Sequence, residues 1–228
     1  MYLTLILSLL LQSFITAPDI NKEEGFVPIF DGKTLKDWDG LPGEWRVEDG
    51  TITSQSTPEK PCKNAHYLYW TGKQPGDFIL KLEFRLENNN SGIQFRSEKR
   101  PNYDIWGYQA DMDDTGEWVG CVYQHDRGAV VKRGYRAWID ADGNRKEEQL
   151  QDPKELLSTF KPKDWNEYEI KCVGNHIELY INGKLMCEVF DDDKKFARSK
   201  GFIALQMHPG PPMKVQFRNI RIKILDKE

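Results

Sequence analysis

A chain of 228 residues, 39% of them hydrophobic, holds enough apolar material to bury the core of one large domain and is too apolar for a disordered segment. Its formal net charge is −4, from 32 Lys and Arg against 36 Asp and Glu. The two signs are interspersed, so no basic stripe exists to displace counterions and a nucleic-acid partner is not expected.

The first predicted element is a short apolar run at residues 3–11, followed by Ala17, which is small enough to precede a cleavage site. Residues 1–17 are therefore expected to be a signal peptide, and 18–228 a single domain exported to the periplasm or the extracellular space. The run is too short for a membrane span. Residues 26–33 read as a short strand ending in a turn, and 45–53 as a hairpin closed by Asp49-Gly50. Residues 78–86 alternate apolar and charged side chains, which predicts a strand with one buried face and one wet face. Asn88-Asn89-Asn90 turns the chain and residues 91–96 return it.

Residues 106–114 read WGYQADMDD, with Gln109, Asp111 and Asp113 at every second position. On a strand these three polar side chains share one face, which suits a solvated surface or the floor of a sugar-binding cleft. Residues 128–163 are charged and Gly-containing and read as a long irregular region, of the kind that closes over a site. Within it, residues 152–160 are expected to form one or two helical turns started by Pro153. Residues 168–173, 176–181 and 184–190 predict a three-stranded meander with turns at Gly174-Asn175 and Asn182-Gly183. Strands at 201–207 and 214–224 complete the set, joined by His208-Pro209-Gly210-Pro211-Pro212. Regular strands and turns with almost no helical period predict an all-β fold, an antiparallel β-sandwich of jelly-roll type.

Aromatic residues make up 12% of the chain, and seven of them are Trp. That supply suits a thick β core or a surface on which the C–H faces of sugars stack. Of the four cysteines, Cys172 and Cys187 fall on the first and third strands of the meander, roughly 10 Å apart and beyond bridging range. Cys62 and Cys121 can pair only if the fold brings them together. The four His are scattered and no Cys-x-x-Cys occurs, so no zinc-ligand spacing is present and no cofactor is called for. The acidic runs at 111–114 and 191–193 offer oxygen ligands for calcium, without a diagnostic spacing.

Several blocks occur in order: Asp77-Phe78 opening a strand, Asn90-Ser91-Gly92-Ile93 with Arg96, Gly107-Tyr108-Gln109-Ala110-Asp111, Asp164-Trp165-Asn166-Glu167-Tyr168-Glu169-Ile170, Ile181-Asn182-Gly183, Leu205-Gln206-Met207-His208 and Phe217-Arg218-Asn219-Ile220. Together they resemble the family first named as a domain of unknown function (DUF1080) and now called the 3-keto-disaccharide hydrolase domain, over roughly residues 26–225. The resemblance implies a concanavalin-like jelly roll, similar in architecture to laminarinase-like glycosidases. It also implies an exported bacterial hydrolase acting on glycosides whose sugar carries a ketone at C3.

Such a ketone makes the C2 proton acidic, so a base can remove it, the enolate can expel the group on C1, and water can add back. This route needs a base near C2, a group that steadies the enolate oxygen, and an acid near the leaving oxygen. On that reading Asp111 is the base and Gln109 holds a sugar hydroxyl. Arg96 holds the oxyanion if it projects from a neighbouring strand onto the same face, and His208, with Gln206 beside it, passes protons to the leaving group. Tyr123 and Trp165 are candidate stacking or hydroxyl-binding partners.

Plainer roles compete with these. Asp113 can be a solvated strand end, Arg96 a partner of a surface carboxylate, His208 a donor to a backbone carbonyl, Trp165 a packing residue at a strand entrance, and His125-Asp126-Arg127 a charged loop. Many family members carry Glu at the position of Gln109 and Gln at that of Asp111, which leaves two places for the base. A retaining or inverting glycosidase needs two carboxyl groups flanking the bond; a laminarinase-like strand would have Glu where Gln109 and Asp113 stand, so elimination is the better expectation. The alternative is a non-catalytic carbohydrate-binding jelly-roll module, which needs aromatic platforms and amides but no poised base.

Overall fold

A computed structural model describes residues 23–225, so the expected signal segment, 1–17, lies outside the described residues. In chain order the strands are β1 (Val27–Pro28), β2 (Trp38–Asp39), β3 (Trp45–Glu48), β4 (Thr51–Gln55), β5 (His66–Trp70), β6 (Phe78–Glu87), β7 (Asn90–Arg100), β8 (Asp104–Asp113) and β9 (Val122–Gln124). They continue with β10 (Gly128–Val131), β11 (Tyr135–Ile139), β12 (Arg145–Gln149), β13 (Asn166–Val173), β14 (His176–Ile181), β15 (Lys184–Asp191), β16 (Phe202–Met207) and β17 (Lys214–Ile224). A helical turn, α1 (Pro153–Leu157), lies between β12 and β13.

Period two decides the layers. β6 buries Phe78, Leu80, Leu82, Phe84 and Leu86 and turns Lys81, Glu83 and Arg85 outward, and β13 buries Tyr168, Ile170 and Cys172 in the same way. These strands belong to the larger sheet, ordered β12-β11-β15-β14-β13-β6-β17-β4-β3 with β1 added against β17. The smaller sheet runs β10-β9-β8-β7-β16-β5-β2. Pairing is antiparallel except where β11 lies parallel to β15. Between the sheets sits one core, with Phe84, Phe95, Tyr168, Leu205 and Phe217 among its members. The architecture is the expected all-β jelly-roll sandwich.

Tight hairpins form where both central residues accept positive φ: Asp49-Gly50 (49° and 74°), Asn88-Asn89 (61° and 60°) and Asn182-Gly183 (49° and 77°). The helical turn is capped by Asp152, whose carboxylate accepts from the Lys154 N–H at 2.7 Å.

Three readings of the sequence are corrected. Residues 128–163 hold β10, β11 and β12 in place of an irregular region. β12 hides from pattern reading because all five of its residues are exposed, and pairing with β11 alone makes it a strand. β5 was likewise unmarked, because all five of its residues are buried and nothing alternates. The first predicted strand shrinks to Val27–Pro28, since Asp31 diverts the following backbone by accepting from the N–H groups of Lys33 and Thr34, both at 2.7 Å. All four cysteines are free thiols, and no helix among the described residues is long and apolar enough to cross a membrane.

The outer face of the smaller sheet carries its own apolar cluster, Tyr67, Tyr69, Ile105 and Ala204, with Ala65, Tyr103 and Phe202 packed against it. The candidate site lies on this face.

Candidate active site

Residues directly opposite on paired strands share a face. Gln94 lies opposite Gln109, Gly92 opposite Asp111, Gln109 opposite Tyr123, and Gln206 opposite Tyr67. Five adjacent strands therefore present polar side chains to one surface, and hydrogen bonds join those of β7, β8, β16 and β5 in series. Ser97 Oγ donates to Gln94 Oε1 at 2.9 Å, and Gln94 Nε2 donates to Gln109 Oε1 at 2.7 Å. Gln109 Nε2 donates both to Asp111 Oδ1 at 3.1 Å and to Gln206 Oε1 at 3.2 Å, and Gln206 Nε2 donates to the Tyr67 hydroxyl at 2.9 Å. Gly92 makes room for this chain: a Cβ there would stand 2.4 Å from Cγ and Cδ of Gln109.

Asp111 is only 4% exposed. Its Oδ1 accepts from Asn90 Nδ2 at 3.1 Å, Gln109 Nε2 at 3.1 Å and the Met112 N–H at 3.2 Å, while Oδ2 is left toward the cleft. Burial raises its pKa from the ordinary 3.8 to about 7, because the charged form loses more hydration than three neutral donors return. Asp113 nearby adds a smaller push in the same direction. The Asp111 backbone is pinned as well: its N–H donates to Cys121 at 3.0 Å, and its carbonyl accepts from Tyr168 Oη at 3.1 Å, across the core.

The cleft above these residues has a volume of about 480 Å³. Gln109, Asp111, Tyr123, Gln206 and His208, all singled out in the sequence, line it together. On the β9 side Trp118, Tyr123 and His125 meet edge to face, at 5.8 Å and 88° and then 5.7 Å and 76°, and form a continuous aromatic row. On the β16 side His208 Nδ1 lies 2.6 Å from the Pro209 carbonyl. A carbonyl only accepts, so Nδ1 carries the proton and Nε2 is left to exchange one. His208 therefore binds a backbone carbonyl and also lines the cleft.

Asp113 behaves differently from its neighbours two and four residues back. Oδ1 accepts from the N–H groups of Trp118 at 2.8 Å and Val119 at 3.1 Å, and Oδ2 from that of Glu117 at 3.2 Å and from the Thr115 hydroxyl. It organises the loop that carries Trp118.

Two predicted site residues lie elsewhere. Period two would place Arg96 beside Gln94, but β7 bulges between Phe95 and Glu98 and Arg96 takes φ 46°. Its guanidinium, 2% exposed, runs the other way, donating to the carbonyls of Gly76 at 2.9 Å and Gly174 at 2.7 Å and pairing with Asp77 at 3.2 Å. Trp165 packs beneath the guanidinium groups of Arg85 at 4.9 Å and Arg218 at 3.9 Å, on the outer face of the larger sheet. No residue of 128–163 lines the cleft; the loop after Asp113 and the turn at His208 border it instead.

Sequence reasoning missed Asn90, Trp118, His125 and Tyr67. Asn90 and His125 had a signal, each standing two residues from a face-sharing neighbour, Gly92 and Tyr123. Trp118 had none, because its place depends on the bonds of Asp113. Among the described residues, His176, Glu178 and Glu188 bring ligand atoms within 4.8 Å of one another. Lys171 and Arg136 already pair with those two carboxylates, which disfavours a cation there.

The geometry first defines a class: a jelly-roll sandwich with an open cleft on the outer face of its smaller sheet. Residues 25–223 match the 3-keto-alpha-glucoside-1,2-lyase-like domain, and the chain belongs to that family. It is similar to a protein of Bacteroides thetaiotaomicron named 3-keto-disaccharide hydrolase, 26% identical over 245 residues that cover 89% of this chain and 79% of that protein. Among solved structures, a protein of Parabacteroides distasonis ATCC 8503, provisionally named a glycosyl hydrolase, superposes with a TM-score of 0.61 at 22% identity over 88% of this chain and 99% of its own. The carbohydrate-binding module CBM66 of Bacillus subtilis shares the fold at a TM-score of 0.55 and 14% identity, over 82% and 95% of the two chains.

Proposed function

We propose that this protein cleaves glycosides whose sugar carries a ketone at C3, by elimination across C1 and C2 followed by addition of water. The observation that carries the reading is Asp111, a buried carboxyl with one oxygen committed to three neutral donors, the other turned to the cleft, and a pKa of about 7. Such a group exchanges protons readily near neutrality.

Asp111 Oδ2 takes the C2 proton, and the electrons of that bond form the enolate on the C3 oxygen. As they return, the ketone is restored, a C1–C2 double bond forms and the C1–O bond breaks. His208 enters the cycle as the imidazolium, Nδ1–H on the Pro209 carbonyl and Nε2–H toward the substrate, and the leaving oxygen takes the Nε2 proton. Water then adds at C1, giving its proton to His208, while Asp111 returns its own to C2, so both groups end as they began. Arg96 is unavailable to the enolate oxygen. Gln109 spends both N–H groups on Asp111 and Gln206, whereas Asn90 and Gln206 each spend only one. Their remaining N–H groups serve as the donors in its place.

A paired-carboxylate mechanism has no footing on β8, where position 109 is an amide and both oxygens of Asp113 are bonded into a loop. The family description and the name of the Bacteroides relative support the ketone-dependent route. The test compares release of nitrophenol from a 3-keto-glucoside and from its parent glucoside, with Asp111→Asn in parallel. Turnover of the keto compound alone, reduced roughly 10²- to 10⁴-fold in the variant, is expected. Equal turnover of the parent, or a fully active variant, overturns the mechanism. Sugar binding without any turnover would make the protein a binding module.

A further inference from the structure

The hydrogen-bond chain across the cleft floor ends on a hydroxyl group at each side, and neither end is settled. At one end Tyr67 is fully buried, and its hydroxyl accepts from Gln206 Nε2 at 2.9 Å. Among the described residues that hydroxyl meets no acceptor for its own proton. A buried O–H without a partner is costly. At the other end Ser97 Oγ carries one proton but has two acceptors at nearly equal range, Gln94 Oε1 at 2.9 Å and the Phe95 carbonyl at 2.8 Å.

Between these ends lie three buried carboxamides, Gln94, Gln109 and Gln206. The nitrogen and oxygen ends of a carboxamide are nearly equal in size and shape. If all three make half a turn, every link keeps its two positions and only donor and acceptor exchange. Tyr67 then donates to Gln206, Gln206 to Gln109, Gln109 to Gln94, and Gln94 to Ser97, whose proton goes to the Phe95 carbonyl. In this reversed order the Tyr67 proton is paired.

One contact changes sign. Gln109 Nε2 lies 3.1 Å from Asp111 Oδ1, and reversal puts a carbonyl oxygen in its place. Against a carboxylate that sets two acceptors face to face, whereas a carboxyl protonated on Oδ1 makes a hydrogen bond to it. The forward order therefore fits ionised Asp111 and the reversed order fits the acid.

We propose that Gln94, Gln109 and Gln206 form a reversible chain whose direction follows the proton of Asp111, with Ser97 and Tyr67 as its ends and Tyr67 as a positioning residue that favours the acid. Its consequence for turnover rests on the reading of Asp111 as the base; the chain itself does not.

Other ionisable groups surround Asp111. Burial raises the Cys121 thiol to about 11 and lifts the phenols of Tyr67 and Tyr168 above their ordinary range, so these three stay neutral near pH 7. Asp113 on β8, with Asp114, Glu117, His125 and His208 around the cleft, all persist in Asp111→Asn, which serves as their control.

The test is nitrogen-15 NMR of the side-chain amides as pH is varied by about two units either side of neutrality, alongside kcat/KM on the nitrophenyl 3-keto-glucoside. The three amides are expected to titrate with one midpoint near pH 7. Gln94 is the telling one, because it bonds Gln109 and Ser97 and not Asp111. In Asp111→Asn this titration should vanish. Tyr67→Phe takes one hydrogen bond from each order but removes the unpaired proton from the forward order alone, so the ionised form gains. The midpoint and the acid limb of kcat/KM should both fall by roughly one pH unit. Packing alone predicts no shift, and loss of a polar neighbour predicts a rise.

A stationary Gln94 amide while Gln109 titrates, the same titration in Asp111→Asn, or a midpoint unchanged or raised in Tyr67→Phe overturns the chain. The wild-type pattern needs no variant, so it decides the matter even where Tyr67→Phe fails to fold. Coupled amides in a protein that turns over no keto substrate would uphold the chain and refute the base.

Discussion

Asp111→Asn is expected to make the protein more stable at alkaline pH even as it stops catalysis. Burial moves the carboxyl from 3.8 to about 7, so the fold holds its proton more tightly than the unfolded chain does. Below about pH 4 both states are protonated and the residue costs nothing. As pH rises from 4 to 7 the unfolded state ionises first, and wild-type stability falls. Above pH 7 the full cost of an ionised buried carboxylate is present, roughly 4 kcal/mol at about 1.4 kcal/mol per pH unit.

Asparagine removes that charge at constant shape. Its carbonyl can still accept from Asn90, Gln109 and the Met112 N–H, and its amide replaces the oxygen that faces the cleft. The difference between variant and wild type should be near zero at pH 4 and approach roughly 4 kcal/mol at pH 8, a rise in Tm of about 10 °C for a chain of this size. Thermal and urea unfolding of both proteins at pH 4, 6 and 8 measure it. A difference that does not vary with pH, or a variant less stable at pH 8, would refute the assignment of a strained carboxylate at this position.

The remaining predictions bear on individual contacts. With Asp111 as base, kcat/KM for the keto substrate should rise tenfold per pH unit below about pH 7 as the carboxyl ionises; an acid limb near pH 4 would place the base elsewhere. Gly92→Ala forces a methyl to within 2.4 Å of Gln109, so unfolding should show a loss of about 1–3 kcal/mol and kinetics a fall of about tenfold or more. Arg96→Met removes the buried guanidinium that pairs with part-exposed Asp77 and donates to two carbonyls, for a loss of about 1–3 kcal/mol, while kcat/KM of the folded protein stays unchanged. Exchanging Gln109→Glu with Asp111→Gln keeps one carboxylate and one amide in the pair, and the double variant should be more active than either single one.

Sequence reading was most secure where a side chain's place depends on its own strand alone. The alternation in residues 78–86 and the Asn and Gly pairs in the hairpins specify β6 and its neighbours without reference to the rest of the molecule. The same holds for Gln109, Asp111, Tyr123 and Gln206, which strand parity and pairing bring to one face. Arg96 failed that rule because a bulge resets parity, and no residue type in Phe95-Arg96-Ser97 announces one. Trp118 was hidden for another reason: a loop is shaped by what its backbone binds, here Asp113, and pattern carries no record of that.

The diversion of Arg96 also bears on the role proposed for Asp111 as a base. A guanidinium beside Gln94 would stand one strand from the carboxylate, and an opposite charge at such range lowers a carboxyl pKa by about 1–3 units. Asp111 would then be ionised well below neutrality and too weak a base to take a proton from carbon. The bulge sends that charge through the sandwich to Gly76, Gly174 and Asp77. What remains are neutral amides: Asn90 and Gln109 bond the carboxylate, and Gln94 and Gln206 hold Gln109, without supplying a compensating charge. Burial then dominates and the pKa rises to about 7. A residue that touches no part of the cleft therefore bears on the pKa of its carboxyl by where its charge is not.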